Sequence, residues 1–326
     1  MARFPRPALA RYLARRCGAF LVVLLSVHAL AFLLLYALPS DPVALMLERR
    51  SAGAGGGTPE QVEALRAAHG LDRPLPVRYV ESLGHLLRGD LGTSFQSGRP
   101  VPEVLASVAP NTVALAGAGL AVAVPFSLAL ALLTSWRRDG ALHRALVNLP
   151  PLIASVPAFW LGLLLVQVFS FALGWLPSTG GSGPTALVLP ALTLALPVSA
   201  SLAAVLVRSL DDVQDAPFVA LLRARGLPWW RVYLRHVVRN ALLPFVTLAG
   251  LTVGGVLVGT VVTETVFARA GLGRLLASSV EAQDAPVVLA IALAAALVFA
   301  VVNLTVDLLY PVLDPRTRRQ DSGATA

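Results

Sequence analysis

The sequence predicts an all-α membrane protein of six transmembrane helices with both termini in the cytoplasm, and three observations support that prediction. Of the 326 residues, 56% are hydrophobic and only 13% charged, where a soluble domain carries about 25% charged residues. Six apolar segments each reach the roughly 20 residues that a helix needs to cross a hydrocarbon core of about 30 Å. The net charge of +8 comes entirely from arginine, since no lysine occurs, and those arginines gather at the ends of apolar segments. That is the pattern of positive-inside topology and not of a stripe that tracks a nucleic-acid backbone. A lipid bilayer is therefore the expected environment, and no nucleic-acid partner is expected.

Residues 1–16 form a basic cytoplasmic tail and 17–38 the first span. Its apolar run exceeds the usual length of about 7 to 15 for a secretion signal, and Ala37-Leu38-Pro39 is a poor cleavage site, so a retained anchor is expected. Residues 39–110 form an extracytoplasmic segment. Pro39-Ser40-Asp41-Pro42 stops the first helix, SAGAGGGTP is turn-rich, and residues 59–69 read as an amphipathic helix ending at Gly70. A segment of about 70 residues buries little by itself, so it is expected to pack on the helices and not to form its own domain. A transmembrane domain over 111–311 holds the other spans, at about 112–135, 145–173, 186–207, 241–262 and 287–310, and a cytoplasmic tail, 312–326, follows.

Orientation follows from counting. Arg3, Arg6, Arg11, Arg15 and Arg16 precede the first span, Arg137, Arg138 and Arg144 lie between the second and third, six arginines lie between 208 and 240, and Arg316, Arg318 and Arg319 end the chain. The other side holds nine, seven of them in the long segment, where charge bias has little weight.

The stretch 211–240, DDVQDAPFVALLRARGLPWWRVYLRHVVRN, is too patterned for a passive connection. Asp215 suits the cap of a short helix, Pro217 its first turn, Gly226 its left-handed end, and Pro228 the start of a second short helix. Two short helices joined at Gly226 suit the docking of a soluble partner, and their arginines point to an acidic groove or to the cytoplasmic side. Within the spans, Gly250 and Gly254, then Gly255 and Gly259, give overlapping small-x-x-x-small patterns for close helix packing. Pro150, Pro151, Pro157, Pro190 and Pro197 free carbonyls that neighbours or a water-filled path must satisfy. Asp307, with Asn303 one turn earlier and Tyr310 after it, and Glu264 are the acids at membrane depth. Structural partners are expected for both, with proton carriage the rival role. His28, alone in the first span, is expected to be a hydrogen-bonded packing residue.

Signals for chemistry are sparse. Without lysine a Walker A phosphate loop cannot exist, so the chain is not an ATPase of the usual kind. No HExxH occurs, and His28, His69, His85, His143 and His236 lack ligand spacing, so neither a metal site nor catalytic residues are expected. The single Cys17 excludes an intrachain disulfide. Gly180-Gly181-Ser182-Gly183 matches the GxSG of intramembrane serine proteases but sits in a polar outer loop, where a flexible turn is expected.

Residues 218–227, FVALLRARGL, followed by LRHVVRNALLP at 234–244, resemble the cytoplasmic coupling loop of dipeptide/oligopeptide/nickel-type ABC importer permeases. GLDRPLPVRYVESLGHLLRGDLGTSF, with its Gly-Asp-Leu-Gly turn at Gly89, resembles the outer segment of that family. LPALTL at 189–194, TETVFARAGLGR at 263–274, QDAPVV at 283–288 and VNLTVDLLYPVLDPRTR at 302–318 come in the family's order. One departure stands out: Ala220, Leu221 and Leu222 occupy the places of the broader signature's Glu-Ala-Ala. The resemblance implies a type I ABC importer permease bundle, multi-pass in a bacterial inner membrane, in which Phe218, Arg223, Ala224, Arg225, Gly226 and Leu227 contact an ATPase. It implies a second homologous permease subunit, two cytoplasmic ATP-binding subunits that hold the ATP and magnesium, and an extracytoplasmic solute-binding protein. This chain would bind no cofactor and would move cargo by alternating access. Di- and oligopeptides are the leading cargo, with nickel chelates, glutathione or oligosaccharides as others. The rivals from other classes are a proton-coupled transporter using Asp307 or Glu264, and an intramembrane protease using Ser182.

The arginine count puts Gln96 outside and Arg225 inside. With Cys17 replaced, Gln96→Cys is expected to react with an impermeant thiol reagent in intact cells and Arg225→Cys only after lysis. The opposite labelling would invert the topology.

Overall fold

The computed structural model describes residues 6–37, 59–68, 72–136, 141–179 and 183–313. Among them the regular structure is helical: α1 (Arg6–Ala37), α2 (Pro59–Ala68), α3 (Leu75–Leu87), α4 (Val101–Trp136), α5 (Ala141–Ala154), α6 (Ala158–Ala172), α7 (Thr185–Gln214), α8 (Pro217–Ala224), α9 (Trp229–Val266), α10 (Leu272–Glu281) and α11 (Ala285–Leu313). Five of these, α1, α4, α7, α9 and α11, are long and apolar enough to cross a bilayer. The 36 residues of α4 and the 38 of α9 correspond to about 54 and 57 Å at 1.5 Å per residue, well beyond the hydrocarbon core. Apolar content marks only the immersed part of such a helix, which is why the expected second, fourth, fifth and sixth spans begin and end short of the observed ones.

The third expected span, 145–173, is not one helix. Its break falls at Pro157, which stands in extended backbone (φ −59°, ψ 133°) at the start of α6. Proline has no N–H to continue the helix and disfavours helical geometry in the residue before it. Val156 N–H turns back to the Ile153 carbonyl at 3.2 Å. The last part of α6, Val166–Ala172, is wound in wide π turns.

The chain forms two compact units, Met1–Asn111 with Ala270–Ala300, and Thr112–Arg269 with Val301–Ala326. In the first, the expected outer segment shares its core with α10 and the start of α11: Val101, Val287, Ala290 and Ile291 are buried together, with Leu91, Leu105, Leu272 and Leu276 packed on them. His28 of α1 lies beside the rings of Tyr79 and Phe32, at centroid separations of 5.6 and 6.4 Å. In the second unit, α7 is central. Its Leu202, Leu206 and Leu210 are fully buried with Val237, Ala241 and Phe245 of α9 and Ala131 of α4. A neighbouring cluster joins Leu115, Leu194 and Val256.

Four helices end alike, with a residue at positive φ and a bond closing back five residues. Gly89 ends α3, Gly226 ends α8, Ala268 (φ 50°) ends α9 and Gln283 (φ 53°) ends α10. The closing bonds run from Asp90 N to His85 O (3.0 Å), Leu227 N to Leu222 O (3.3 Å), Arg269 N to Glu264 O (2.8 Å) and Asp284 N to Ser279 O (2.8 Å). Left-handed backbone costs a residue with a Cβ about 1 kcal/mol or more, so Ala268 and Gln283 are held there by the bonds that Arg269 and Asp284 make.

Asp284 acts as a latch. Only 1% exposed, it accepts hydrogen bonds from Ser94 Oγ at 2.5 Å, Phe95 N at 3.0 Å and Gln96 N at 3.2 Å. It thereby joins the GDLGTSF and QDAPVV stretches, which lie far apart in sequence. The turn before Ser94 is tied by Asp90, which accepts from Gly92 N at 2.8 Å and pairs with His85 at 3.0 Å. The Gly92 N–H, and after it the His85 side chain, hold the Asp90 carboxyl below the usual carboxylate range.

Asp284→Ala removes the acceptor for two backbone N–H groups and a buried hydroxyl, a loss of at least about 2 kcal/mol. We expect a clearly lower unfolding temperature in detergent and new proteolytic cleavage between residues 89 and 100. Unchanged unfolding would show that the latch is dispensable.

Candidate functional site

The segment between α7 and α9 carries the expected docking element, in a different arrangement. α7 runs on to Gln214, and Asp215 (φ −83°, ψ −4°) closes it, its N–H bonded to Asp211 O at 3.2 Å. Asp215 is therefore not the N-cap residue of α8. Ala216 (φ −69°, ψ 141°) takes that place, with no side-chain cap and Pro217 next in the chain. One residue separates the two helices, so the aspartate stands one place before the N-cap position. Gly226, at φ +81°, does end α8 as expected. The expected second short helix is not separate: Pro228 (φ −65°, ψ 143°) precedes α9, which passes through wide turns at Tyr233–Val237 and continues to Val266. Arginines made that first part look like a loop element, yet nothing in it breaks a helix.

α8 is anchored on one side and open on the other. Val219 is buried, and Leu222, Leu227 and Trp229 pack beside it on the core of Leu206, Leu210 and Tyr233. Phe218 and Leu221 are exposed, as are Ala224 and Arg225. The Arg223 guanidinium lies 5.4 Å from the centre of the Trp229 ring, a cation–π placement that steers it along the protein surface. Of the expected contact residues, Phe218, Arg223, Ala224 and Arg225 are on the surface, Gly226 forms the turn and Leu227 faces the core. Sequence reasoning missed the aromatic support beneath them. Trp136 meets Tyr233 edge-on at 5.0 Å, Trp229 lies 5.6 Å from Tyr233, and Tyr233 Oη donates to Leu132 O at 3.1 Å. The run PWWRVY at 228–233 was the available signal.

The glycines of α9 divide by face. A Cβ on Gly259 would come within 3.0 Å of Leu194 Cδ2, and one on Gly119 of α4 within 3.2 Å of Leu194 Cβ, so two helices close on one leucine of α7. Gly254 is buried and Gly250 partly so, whereas Gly255 is exposed with open space around it. Glu264, 1% exposed, accepts a hydrogen bond from Thr112 Oγ1 at 2.6 Å, which ties α9 to α4. Arg269 supplies a second tie. Pro190 offers no N–H to the Ala186 carbonyl one turn earlier, and the Arg269 guanidinium donates to that carbonyl at 3.2 Å. The side chain of Asp307 and the whole of Ser182 lie outside the described residues. Among the described residues no group of three or more His, Cys, Asp or Glu could hold a metal ion.

Residues 110–319 match the family model of the binding-protein-dependent transport system inner membrane component, and residues 9–116 match the model of its N-terminal region. The glutathione transport system permease protein GsiC of Pectobacterium atrosepticum is 39% identical over 307 residues, covering 94% of this chain and 98% of that one. A Brucella abortus protein, provisionally named as a peptide transport system permease, is 35% identical over 312 residues, covering 93% of this chain and 98% of its own. In fold, the chain is similar to the crystal structure of an amino acid ABC transporter with histidines, at a TM-score of 0.51 and 17% identity over 64% of this chain and 94% of that one. The chain belongs to the family of binding-protein-dependent transport system inner membrane components, as a multi-pass permease of bacterial ABC transport systems.

Proposed function

We propose that this permease pairs with a second homologous permease subunit, that cytoplasmic ATP-binding subunits dock on α8, and that an extracytoplasmic solute-binding protein delivers short peptides to its outer side. The observation that carries the docking part is α8 itself. A helix of eight residues is fastened through Val219 and Leu222, presents Phe218, Leu221 and Arg225 outward, and ends in a turn that only glycine adopts without strain. Two ATP-binding subunits closing on ATP and magnesium would displace α8 and, with it, the foot of α9. The bundle would then alternate between outward and inward openings. This chain contributes the path and the coupling surface, and it binds no cofactor of its own. ATP drives the cycle, so neither Asp307 nor Glu264 is a proton carrier, and Ser182 is no nucleophile.

The names of the relatives support peptide cargo, and glutathione is itself a tripeptide. No set of charged residues within the spans can clamp both ends of a peptide, so selection rests mainly with the solute-binding protein.

Gly226→Val puts a β-branched side chain at φ +81°, a strain of about 1–2 kcal/mol that redirects α8. Uptake by the assembled complex is expected to be lost although the protein reaches the membrane. Full uptake with this variant would refute the docking role of the turn. In a strain lacking other peptide importers, deleting the gene is expected to abolish growth on a di- or tripeptide as sole source of a required amino acid, with use of the free amino acid intact. Unchanged growth would refute the peptide cargo.

A further inference from the structure

α3 is amphipathic in the unusual sense. Its apolar Leu75, Val77, Val80 and Leu87 are exposed, while Arg78, Glu81, Ser82 and His85, spaced as one helical stripe, line a cavity of about 390 Å³ within the first unit. α1 contributes His28 and Phe32 to its wall, α11 contributes Leu289, and the turn after α3 contributes Asp90. A volume of this order holds a small solute. His28 is 2% exposed. Its Nε2 lies 3.3 Å from Ser82 Oγ, while its Nδ1 is buried with no hydrogen-bond partner. A buried polar nitrogen left in this way is costly unless something in the cavity bonds to it.

The charges define the ligand. One guanidinium, from Arg78, and two carboxylates, from Glu81 and Asp90, share the lining. Glu81 pairs with Arg73, and Asp90 with His85. An ionised carboxylate accepts several hydrogen bonds, so both can take a further donor. A simple anion would face the two carboxylates and a simple cation the guanidinium, whereas a molecule with an ammonium at one end and a carboxylate at the other meets complementary charge at both. We propose that this cavity binds a small zwitterion of the size of an amino acid or dipeptide, with its carboxylate toward Arg78, its ammonium toward Glu81 and Asp90, and its body against Phe32 and Leu289. The choice of a dipeptide as probe rests on the peptide reading above. The site is built by α1, the outer segment and α11, uses no residue of the coupling helix, and gives this subunit a direct contact with solute.

The test is isothermal titration of the assembled permease complex in nanodiscs, without nucleotide or binding protein, using alanyl-alanine, its N-acetyl derivative and its C-terminal amide. Saturable binding of alanyl-alanine is expected, at least tenfold weaker when either end is blocked. Arg78→Gln is expected to weaken the free dipeptide at least tenfold and leave the amide unaffected; Glu81→Gln does the same with respect to the N-acetyl form. His28→Phe, which keeps the ring shape against Tyr79, also weakens binding. Absence of saturable binding to the wild-type complex, or equal affinity for the blocked and free peptides, overturns the site without recourse to any variant. So does a phospholipid, seen by native mass spectrometry, that occupies the complex and is not displaced by the dipeptide. Growth on dipeptides with no binding here removes this site and leaves the cargo assignment standing, while binding here with no peptide-dependent growth removes the cargo assignment alone.

Discussion

A peptide group in hydrocarbon has no water to bond to, so each N–H and C=O that crosses the bilayer must find its partner inside the protein, at a cost of several kcal/mol where it does not. Helices meet this demand along their length, and the departures here occur where proline interrupts the ladder. At Pro190 the orphaned Ala186 carbonyl is taken by Arg269, so a backbone defect becomes a tie between α7 and the turn after α9. At Pro157 the chain gives up continuity instead, and α5 and α6 divide what would have been one span. The same demand governs helix ends. Gly89, Gly226, Ala268 and Gln283 each turn the chain so that the last carbonyls are bonded back.

Hydrophobic length made the class of fold, and five of the spans, readable from the sequence. It did not reveal where helices stop, because a helix needs no lipid to continue. α4, α7 and α9 run past their apolar segments, with Arg208, Arg231, Arg235 and Arg239 carried on the extensions. Local turn chemistry was readable where a single residue type is required, as at Gly226 and Pro217. It misled where a residue has a competing role: Asp215 has the chemistry of a cap, yet the one-residue spacing leaves it at the end of the preceding helix.

Long-range partners were the least legible part. Nothing in QDAPVV says that its aspartate binds three groups of the GDLGTSF stretch, and nothing near Thr112 points to Glu264. Both pairs bury a carboxylate, which is tolerable only with such donors. GDLGTSF and QDAPVV, which carry part of the family resemblance, are the two halves of the first of these contacts. The polar stripe of α3 was hidden for a different reason. Its hydrophobic pattern is that of an ordinary surface helix, and only the fold shows that the polar side is the one lining a cavity.

α9 has another consequence. From Trp229 to Val266 it is one continuous helix of 38 residues, about 57 Å long, with Trp229 and Tyr233 of its foot packed against Trp136 and the end of α8. A rod transmits angle as displacement in proportion to its length. A tilt of about 5° at the foot carries the far end sideways by about 5 Å, roughly the spacing of one helical turn. A stroke at Gly226 of the kind proposed above would be enlarged to the scale of a side chain at the opposite end, where Glu264 and Thr112 meet.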